Sequence, residues 1–343
     1  MLTTKIAVIG ATGLVGQMMI KVLQERAIAG EYFLFAGPNH AGDKIIINGD
    51  EYLVETLTIE RVNEIRADFA LFAAGAEVAE QWAPLFVAAG TTVIDNSSHF
   101  RMHPDVPLVV PEINLSAIGK AKLIANPNCS TIGAVVALAP LDRVYHIKRI
   151  VYATYQAISG AGSNPHFKYQ ITNNVLPDID VLMPDGSTKE ETKMIKETKK
   201  ILGRDDIAVT ATAARVPVAN CHCVAINVEF EREPDLAEVK KILSTAAGVV
   251  WCDDYAVPTK VSGQDAVYVG RVRRDLDHPN TLNLWTVSDN LRKGAATNAV
   301  QIMESLLAWL FDYWFVCGGG LRGRDRLGDN LLDKKIKFAK IRH

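Results

Sequence analysis

The stretch Lys5-Ile6-Ala7-Val8-Ile9-Gly10-Ala11-Thr12-Gly13-Leu14-Val15-Gly16 decides the fold of this chain. Residues 5–9 form a short apolar run that ends at a glycine, which is typical of a strand inside a parallel sheet. Residues 14–26 then place apolar side chains at helical spacing. Glycines in such a turn let a pyrophosphate approach the backbone, and the helix start offers it free N–H groups; the alternative is a plain tight turn. The pattern favours a dinucleotide site that includes Gly10, Thr12, Gly13, Leu14 and Val15.

Strands and helices continue to alternate after this turn. Residues 32–36, 67–73 and 91–95 are predicted strands, and residues 77–89 are a predicted helix. This alternation indicates an α/β fold with a doubly wound parallel sheet. The pattern breaks near Asn126-Pro127, where we expect the first domain to give way to the second.

The second part of the chain has longer strands with alternating polar and apolar residues. They indicate an open, partly antiparallel sheet. The predicted helices are 130–146, 188–202 with Gly203 as its stop, 234–248 and 294–312; the predicted strands are 149–158, 207–213, 216–230, 265–273 and 281–288.

Composition limits the class of protein. The 343 residues are about the length of two domains, and 48% hydrophobic residues supply a packed core. Lys and Arg number 37 against 39 Asp and Glu, so we expect neither nucleic acid nor a membrane as a partner. Five cysteines are an odd number, which fits a reducing cytoplasm without a disulfide framework. The apolar runs 132–141 and 306–317 are shorter than the roughly 20 residues of a membrane helix, and the first residues lack the pattern of a signal peptide.

Cys129 is a candidate nucleophile. It stands at the break, in Asn126-Pro127-Asn128-Cys129-Ser130-Thr131, directly before an apolar helix. The positive end of a helix dipole lowers the pKa of a thiol, and a thiolate is the reactive form. The alternative is an inert cysteine of the core.

His222 is a candidate acid or base and a partner for Cys129. It lies between Cys221 and Cys223, a grouping that suggests zinc. Strand alternation places the histidine on the face opposite both cysteines, so we expect no metal site. The alternative is a histidine satisfied within the core.

Charged residues near strand ends form a candidate binding site. Arg101 follows the strand that ends at Asp95, and Arg215 opens the strand of His222. Glu190 and Lys193 are three residues apart and share a helix face. Three cations and one carboxylate would suit a small zwitterion that also carries a carboxylate and a phosphate. Each residue is alternatively a solvated surface charge.

Many motifs in order make the chain similar to a known family. They are Gly-Ala-Thr-Gly-Leu-Val-Gly at 10–16, Ser-Ser-His-Phe-Arg-Met at 97–102, Val-Pro-Glu-Ile-Asn at 110–114, Asn-Pro-Asn-Cys-Ser-Thr at 126–131, Tyr-Gln-Ala-Ile-Ser-Gly-Ala-Gly at 155–162, Lys-Glu-Glu-Thr-Lys at 189–193, Arg-Val-Pro-Val at 215–218, Val-Gly-Arg-Val-Arg-Arg-Asp at 269–275 and Ser-Asp-Asn-Leu-Arg-Lys-Gly-Ala-Ala at 288–296. Over about residues 4–305 the chain resembles bacterial aspartate-semialdehyde dehydrogenases.

The resemblance implies roles for the matching residues. Cys129 would be the nucleophile, His222 the acid/base and Gln156 a positioning group for the acyl carbon. The substrate residues would be Arg101 and Lys193 for phosphate, Arg215 for the carboxylate, Glu190 for the ammonium group, and Asn128. Ser159, Gly160, Asn290, Lys293 and Gly294 would lie by the cofactor.

The resemblance also implies a fold and an activity. The fold would be a Rossmann-like dinucleotide-binding domain, residues 1–127 plus 294–317, and a mixed α/β catalytic and dimerisation domain, residues 128–293, as in glyceraldehyde-3-phosphate dehydrogenase. The protein would be a homodimer that reduces L-aspartyl-4-phosphate with NADPH to L-aspartate-4-semialdehyde and phosphate. That step serves the biosynthesis of lysine and diaminopimelate, methionine and threonine.

Two features depart from the family pattern. Members commonly carry Ser and Arg after the second strand for the extra phosphate of NADP, whereas Gly37 and Asn39 stand here. Asn39, His40 and backbone N–H groups remain as donors, and no acid follows Ala36 closely, so we expect NADP with NAD also possible. The Gly-rich, charged tail 318–343 matches no family motif and is expected to be poorly ordered.

Two other functions compete with this reading. An N-acetylglutamyl-phosphate reductase binds an acylated amine, which needs no carboxylate partner, so Glu190 opposes it. A non-catalytic paralogue could lose Cys129 or His222 without penalty, and both are present.

Overall fold

The computed structural model describes residues 3–162 and 165–316. The predictions for the tail 318–343 and for Cys317 lie outside these residues. In the described part of the chain, no helix combines the length and the apolar character that a membrane crossing requires.

The first part of the chain forms a seven-stranded sheet. Its strands run in the order β3-β4-β2-β1-β5-β6-β7 and are parallel except for the β3–β4 hairpin. The strands are β1 (Lys5–Ile9), β2 (Glu31–Phe35), β3 (Lys44–Ile47), β4 (Asp50–Glu55), β5 (Phe69–Phe72), β6 (Thr92–Asp95) and β7 (Leu123–Ala125). The helices are α1 (Leu14–Glu25), α2 (Ile59–Ile65), α3 (Ala76–Ala88) and α4 (Pro111–Asn114). The predicted Rossmann-like sheet is confirmed.

The turn between β1 and α1 depends on two glycines. Gly10 has φ +85° and lies against the backbone of Ala73, where a Cβ would approach the carbonyl oxygen to 2.8 Å. A Cβ on Gly16 would overlap the carbonyl of Gly10. The first turn of α1 therefore packs directly on the loop that begins at Gly10. Gly13 is the N-cap residue of α1 and has no side chain that could cap the helix. Its first N–H groups are left for a ligand.

The second part of the chain forms a six-stranded mixed sheet in the order β11-β12-β13-β10-β8-β9. Its strands are β8 (Ile147–Gln156), β9 (Ala208–Arg215), β10 (His222–Phe230), β11 (Val249–Trp251), β12 (Val267–Arg274) and β13 (Thr281–Ser288). The further helices are α5 (Cys129–Tyr145), α6 (Lys189–Leu202), α7 (Leu236–Thr245), α8 (Pro258–Val261) and α9 (Thr297–Val316). Buried side chains of α5, α6 and α7 pack on one sheet face, over Val224, Ile226 and Val228.

The prediction of one strand over 216–230 is wrong. β9 continues to Arg215, residues 216–221 form a loop, and β10 begins at His222. Pro217 cannot donate to a strand ladder, and Cys221 adopts φ 74°, so the chain turns here. The last helix also starts later than predicted, because residues Arg292–Ala296 form a π-helical turn.

Candidate active site

One cleft gathers most of the predicted residues. It measures about 510 Å³ and lies at the carboxyl ends of the parallel strands, where open α/β sheets bind ligands. The predicted residues among its lining are Leu14, Val15, Arg101, Asn128, Cys129, Gln156, Ser159, Gly160, Glu190, Lys193, Arg215, Asn290 and Gly294.

Cys129 is the first residue of α5, and Asn128 caps this helix. The Asn128 Oδ1 atom accepts hydrogen bonds from the N–H groups of Ser130 and Thr131, at 3.0 and 3.1 Å. Its Nδ2 atom donates to Glu190 Oε1 at 2.9 Å. Asn128 thus fixes the start of the helix and orients Glu190, a positional role beside its expected contact with substrate.

Burial raises the pKa of the Cys129 thiol to about 11, and the Glu190 carboxylate adds to this rise. Arg101, Arg215 and the Ser130 N–H act in the opposite direction without overcoming it. Desolvation of the thiolate thus outweighs these neighbouring groups, and the lowering expected from the helix dipole stays a prediction.

Glu190 is a buried carboxylate, 5% exposed, that remains charged. Burial opposes the charge, but Lys193 and the amides of Asn128 and Gln156 together hold the pKa of Glu190 below its ordinary value. Gln156 Nε2 donates to Glu190 Oε1 at 3.0 Å, and Lys193 Nζ lies 3.3 Å from Oε2. Gln156 and Glu190 therefore form one hydrogen-bonded unit.

Arg101 is paired with Glu197, a residue that the sequence analysis missed. Arg101 Nη1 donates to Glu197 Oε1 at 3.1 Å, and Nη2 donates to the Asn96 carbonyl at 2.8 Å. Glu197 Oε2 accepts from the N–H of Asn128 at 2.6 Å. Glu197 follows Glu190 by seven residues, so it lies on the same face of α6, and that spacing is the signal that could have identified it.

The number of charges in the cleft differs from the expected three cations and one carboxylate. Arg101, Lys193 and Arg215 are accompanied by Glu190 and Asp180, which line the cleft, and by Glu197, which is buried outside the lining and pairs with Arg101. Lys193 Nζ donates to Asp180 Oδ2 at 2.6 Å. Every described cation of the cleft except Arg215 thus has a carboxylate partner.

His222 and Arg215 share the peptide of Ala157. The Ala157 N–H donates to His222 Nδ1 at 3.0 Å, and Arg215 Nη1 donates to the Ala157 carbonyl at 2.7 Å. Gly160 covers both side chains, and a Cβ there would lie 2.7 Å from Arg215 Nη1 and 2.8 Å from His222 Nε2. Only glycine fits this position.

His222 is uncharged at neutral pH. Burial and, to a smaller extent, the nearby Arg215 together lower its pKa to about 3. Because Nδ1 accepts a hydrogen bond, the proton of the neutral ring is on Nε2, and this atom has no hydrogen-bond partner among the described residues. Within the described part of the chain, no hydrogen bond joins His222 to Cys129.

The two neighbouring cysteines are buried away from this site, although only Cys223 lies in the strand and Cys221 ends the preceding loop. Cys221 and Cys223 are buried with Ala256 and Val261 in a separate cluster. Among the residues that the structure describes, no group of three or more His, Cys, Asp or Glu side chains is placed to hold a metal ion.

Most of the predicted cofactor residues lie in the cleft or in the turn that adjoins it. Ser159 and Asn290 line the cleft with Leu14 and Val15, and Ser159 Oγ donates to Asn290 Oδ1 at 3.1 Å. Gly10, Thr12 and Gly13 form the adjoining turn.

The turn after β2 stands apart from the cleft lining. Gly37 precedes the exposed 3₁₀ turn Pro38–His40, which contains Asn39. His40 Nδ1 lies 2.9 Å from Asp43 Oδ2, so this turn has a carboxylate beside His40.

Lys293 does not lie in the cleft, although the resemblance implied it. It is fully buried, and its Nζ donates to both Glu112 carboxylate oxygens at 2.7 Å and to Asn298 and Gln301. The charge of Lys293 is satisfied by Glu112, which leaves it a structural role. Gly294, one residue later, does line the cleft.

Family models match both parts of the chain. The model described as semialdehyde dehydrogenase, NAD binding domain, matches residues 5–121. The model described as semialdehyde dehydrogenase, dimerisation domain, matches residues 138–293.

Relatives extend the match over nearly the whole chain. The aspartate-semialdehyde dehydrogenase of Aquifex aeolicus is 44% identical, with 88% of this chain and 98% of that protein covered. The enzyme of Campylobacter jejuni is 42% identical, with 88% and 97% covered. Aspartate semialdehyde dehydrogenase II of Vibrio cholerae, solved as a complex with ASA, has a TM-score of 0.85 at 40% identity, with 90% and 99% covered. The Candida albicans enzyme, solved with NADP, has a TM-score of 0.75 at 28% identity, with 90% and 99% covered. The chain therefore belongs to the aspartate-semialdehyde dehydrogenase family.

Proposed function

We propose that the protein reduces L-aspartyl-4-phosphate to L-aspartate-4-semialdehyde and phosphate, with NADPH as reductant and a thioester on Cys129. The observation that carries this proposal is the position of Cys129 at a helix start, in one cleft with Arg101, Lys193, Arg215 and Glu190. The product feeds the biosynthesis of lysine and diaminopimelate, methionine and threonine.

The residues at the β1–α1 turn fit a dinucleotide. The glycine turn leaves the N–H groups of α1 uncapped, and Leu14 and Val15 line the cleft beside Asn290 and Gly294. The Candida albicans relative was solved with NADP at a matching fold. When bound, the nicotinamide supplies the hydride that reduces the acyl group to the aldehyde.

The charged residues would orient the substrate. Arg215 holds the α-carboxylate and Glu190 the ammonium group, while Arg101 and Lys193 hold the phosphate. An ammonium group next to Glu190 neutralises one of the charges that raise the pKa of the Cys129 thiol. Substrate binding thus favours the thiolate at the point where it is needed.

The thiolate of Cys129 attacks the acyl carbon, and the bond from that carbon to the phosphate oxygen breaks, so that phosphate leaves with the bonding electrons. Gln156, held by Glu190, positions the acyl group. His222 presents an N–H at Nε2 that stabilises negative charge on the substrate oxygen. His222 can transfer a proton only when Nδ1 no longer accepts the hydrogen bond from the Ala157 N–H.

The reverse reaction provides the direct test. Aspartate semialdehyde, phosphate and NADP should yield NADPH, and N-acetylglutamate semialdehyde should yield none. Glu190→Gln should raise KM for aspartate semialdehyde without creating activity on the acetylated substrate. Preference for the acetylated substrate would overturn the assignment. The relatives are named aspartate-semialdehyde dehydrogenases and do not favour the acetylated substrate.

We propose that two copies associate through the open face of the six-stranded sheet. A groove of about 500 Å³ crosses this face, and Tyr155, 40% exposed, lies against Trp285 with ring centroids 5.5 Å apart. The matching family model is a dimerisation domain. Trp285→Glu should convert a dimer to a monomer in sedimentation velocity experiments, whereas Lys21→Glu on exposed α1 should not. A monomeric wild type would contradict the proposal.

We propose residues 1–127 with 294–317 as the dinucleotide-binding domain and 128–293 as the catalytic domain. Strands up to Ala125 belong to the first sheet, and Ala299, Val300 and Met303 of α9 are buried in its core. We also propose a cytoplasmic location, because the reaction needs a free Cys129 thiol, which a reducing compartment maintains.

A further inference from the structure

Lys193, the cation assigned to the phosphate group, is paired with carboxylates of the protein itself. Its Nζ donates to Asp180 Oδ2 at 2.6 Å and to Glu190 Oε2 at 3.3 Å. Both Lys193 and Asp180 line the cleft. A phosphate that reaches Lys193 therefore meets a cation that is paired with carboxylates of the protein.

Asp180 is held differently from Glu190 and Glu197, the two carboxylates of α6 that pair with cations of the cleft. Glu190 and Glu197 project from α6, are 5% and 1% exposed, and accept hydrogen bonds from Asn128. Asp180 lies in the irregular segment before α6, and 29% of its side chain is exposed. It can leave its partner at lower cost than a carboxylate anchored in a buried helix.

The Asp180 carboxylate has few contacts with the rest of the protein. Its Oδ1 accepts from the N–H of the next residue, Val181, at 2.9 Å, and its φ is 69°. The following residues Val181, Leu182 and Met183 are exposed. Apart from the N–H of Val181, Lys193 is the one described hydrogen-bond partner of the Asp180 carboxylate.

We propose that Asp180 is an internal competitor of phosphate: it holds Lys193 in the ligand-free enzyme and is displaced when a phosphate binds. Asp180 thereby sets the affinity for phosphate, because each phosphate must replace an existing ion pair. The proposal rests on the proposed function, in which Lys193 contacts the phosphate.

The test is Asp180→Asn, assayed with aspartate semialdehyde and NADP at saturation and phosphate varied. The amide keeps the shape but removes the charge, so KM for phosphate should fall about threefold to tenfold, the size expected for a partly exposed ion pair. KM for aspartate semialdehyde should change by less than about twofold. Calorimetric titration of the enzyme with inorganic phosphate should show the same gain in affinity without turnover.

Asp178→Asn is the matched control. Asp178 lies two residues away in the same segment, is exposed and does not line the cleft, so its loss removes the same charge without touching Lys193. It should leave KM for phosphate unchanged. An equal fall in both variants would show a general charge effect and overturn the proposal.

Lys193→Ala separates failure of this proposal from failure of the proposed function. A raised KM for phosphate in Lys193→Ala, with an unchanged or raised KM in Asp180→Asn, leaves the phosphate role of Lys193 intact and refutes competition by Asp180. An unchanged KM for phosphate in Lys193→Ala removes Lys193 from the phosphate site. It refutes both the phosphate role of Lys193 and the competition by Asp180. In the double variant, Asp180→Asn should have no further effect.

Discussion

Cys129 starts a helix among charges of both signs, and its sulfur is the proposed carrier of the acyl group in the cleft. We expect Cys129→Ala to lower kcat by roughly 10⁴ or more, because the covalent route is lost. The measurement is the phosphate-dependent formation of NADPH. Cys252→Ala, a partly exposed cysteine outside the cleft, should keep normal activity. A Cys129→Ala variant with a tenth of wild-type activity would contradict the assignment.

Arg215 donates one hydrogen bond, from Nη1 to the Ala157 carbonyl, and its other N–H groups remain available for a substrate carboxylate. Lysine retains the charge but not the planar pair of donors, so Arg215→Lys should lower kcat/KM for aspartate semialdehyde roughly tenfold to a hundredfold. KM for phosphate should stay nearly constant. Arg143→Lys, an exposed position, is the matched control and should resemble the wild type. Near-normal kinetics of Arg215→Lys would remove Arg215 from carboxylate binding.

At the scale of elements, the turn that follows β2 governs the choice between NADP and NAD. Gly37, Asn39 and His40 offer no guanidinium, and His40 already engages Asp43. A charged hydrogen bond contributes on the order of 1.5–3 kcal/mol, so the NADP preference should shrink about tenfold to a hundredfold relative to a member with Arg here. We expect use of both cofactors, with NADP favoured weakly or not at all.

The ratio of kcat/KM for the two cofactors checks this expectation. Asn39→Arg should restore the preference for NADP, whereas Gln24→Arg, on α1, should leave the ratio unchanged. A thousandfold preference for NADP in the unaltered protein would show that other residues bind the extra phosphate.

The elements were predictable where local pattern and tertiary role agree. β1 and the capped helix α6 follow from apolar spacing and from Thr188 and Gly203 at its ends. The hairpin β3–β4 and the loop 216–221 do not follow from local sequence pattern, because strand register and the position of the turn depend there on neighbouring strands. Asp180 illustrates the same limit within the site: its contact with Lys193 joins segments 13 residues apart, and no local pattern encodes it.

At the scale of the whole molecule, the buried pair of Glu112 and Lys293 connects the π-helical turn before α9 to α4. Lys293 is fully buried, and the Glu112 side chain is 10% exposed. Glu112→Gln leaves a buried ammonium group without its counter-charge, so the free energy of unfolding should fall by about 3 kcal/mol or more. Denaturant unfolding measures this.

Glu229→Gln is the comparison, because it removes a carboxylate from an exposed pair with Lys148, and it should cost at most about 1 kcal/mol. Equal stability of Glu112→Gln and the wild type would refute a structural role for the buried pair.

The peptide of Ala157 orients two side chains with different functions. Its N–H donates to His222, and its carbonyl accepts from Arg215. Both contacts are made by backbone atoms, so neither depends on a polar side chain at position 157, where a small, fully buried alanine stands. A shift of the β8 end would carry both His222 and Arg215 with it. Natural variation cannot tune the group that handles the proton apart from the group that anchors the substrate, and a descendant with a new substrate would have to replace Arg215 instead of moving it.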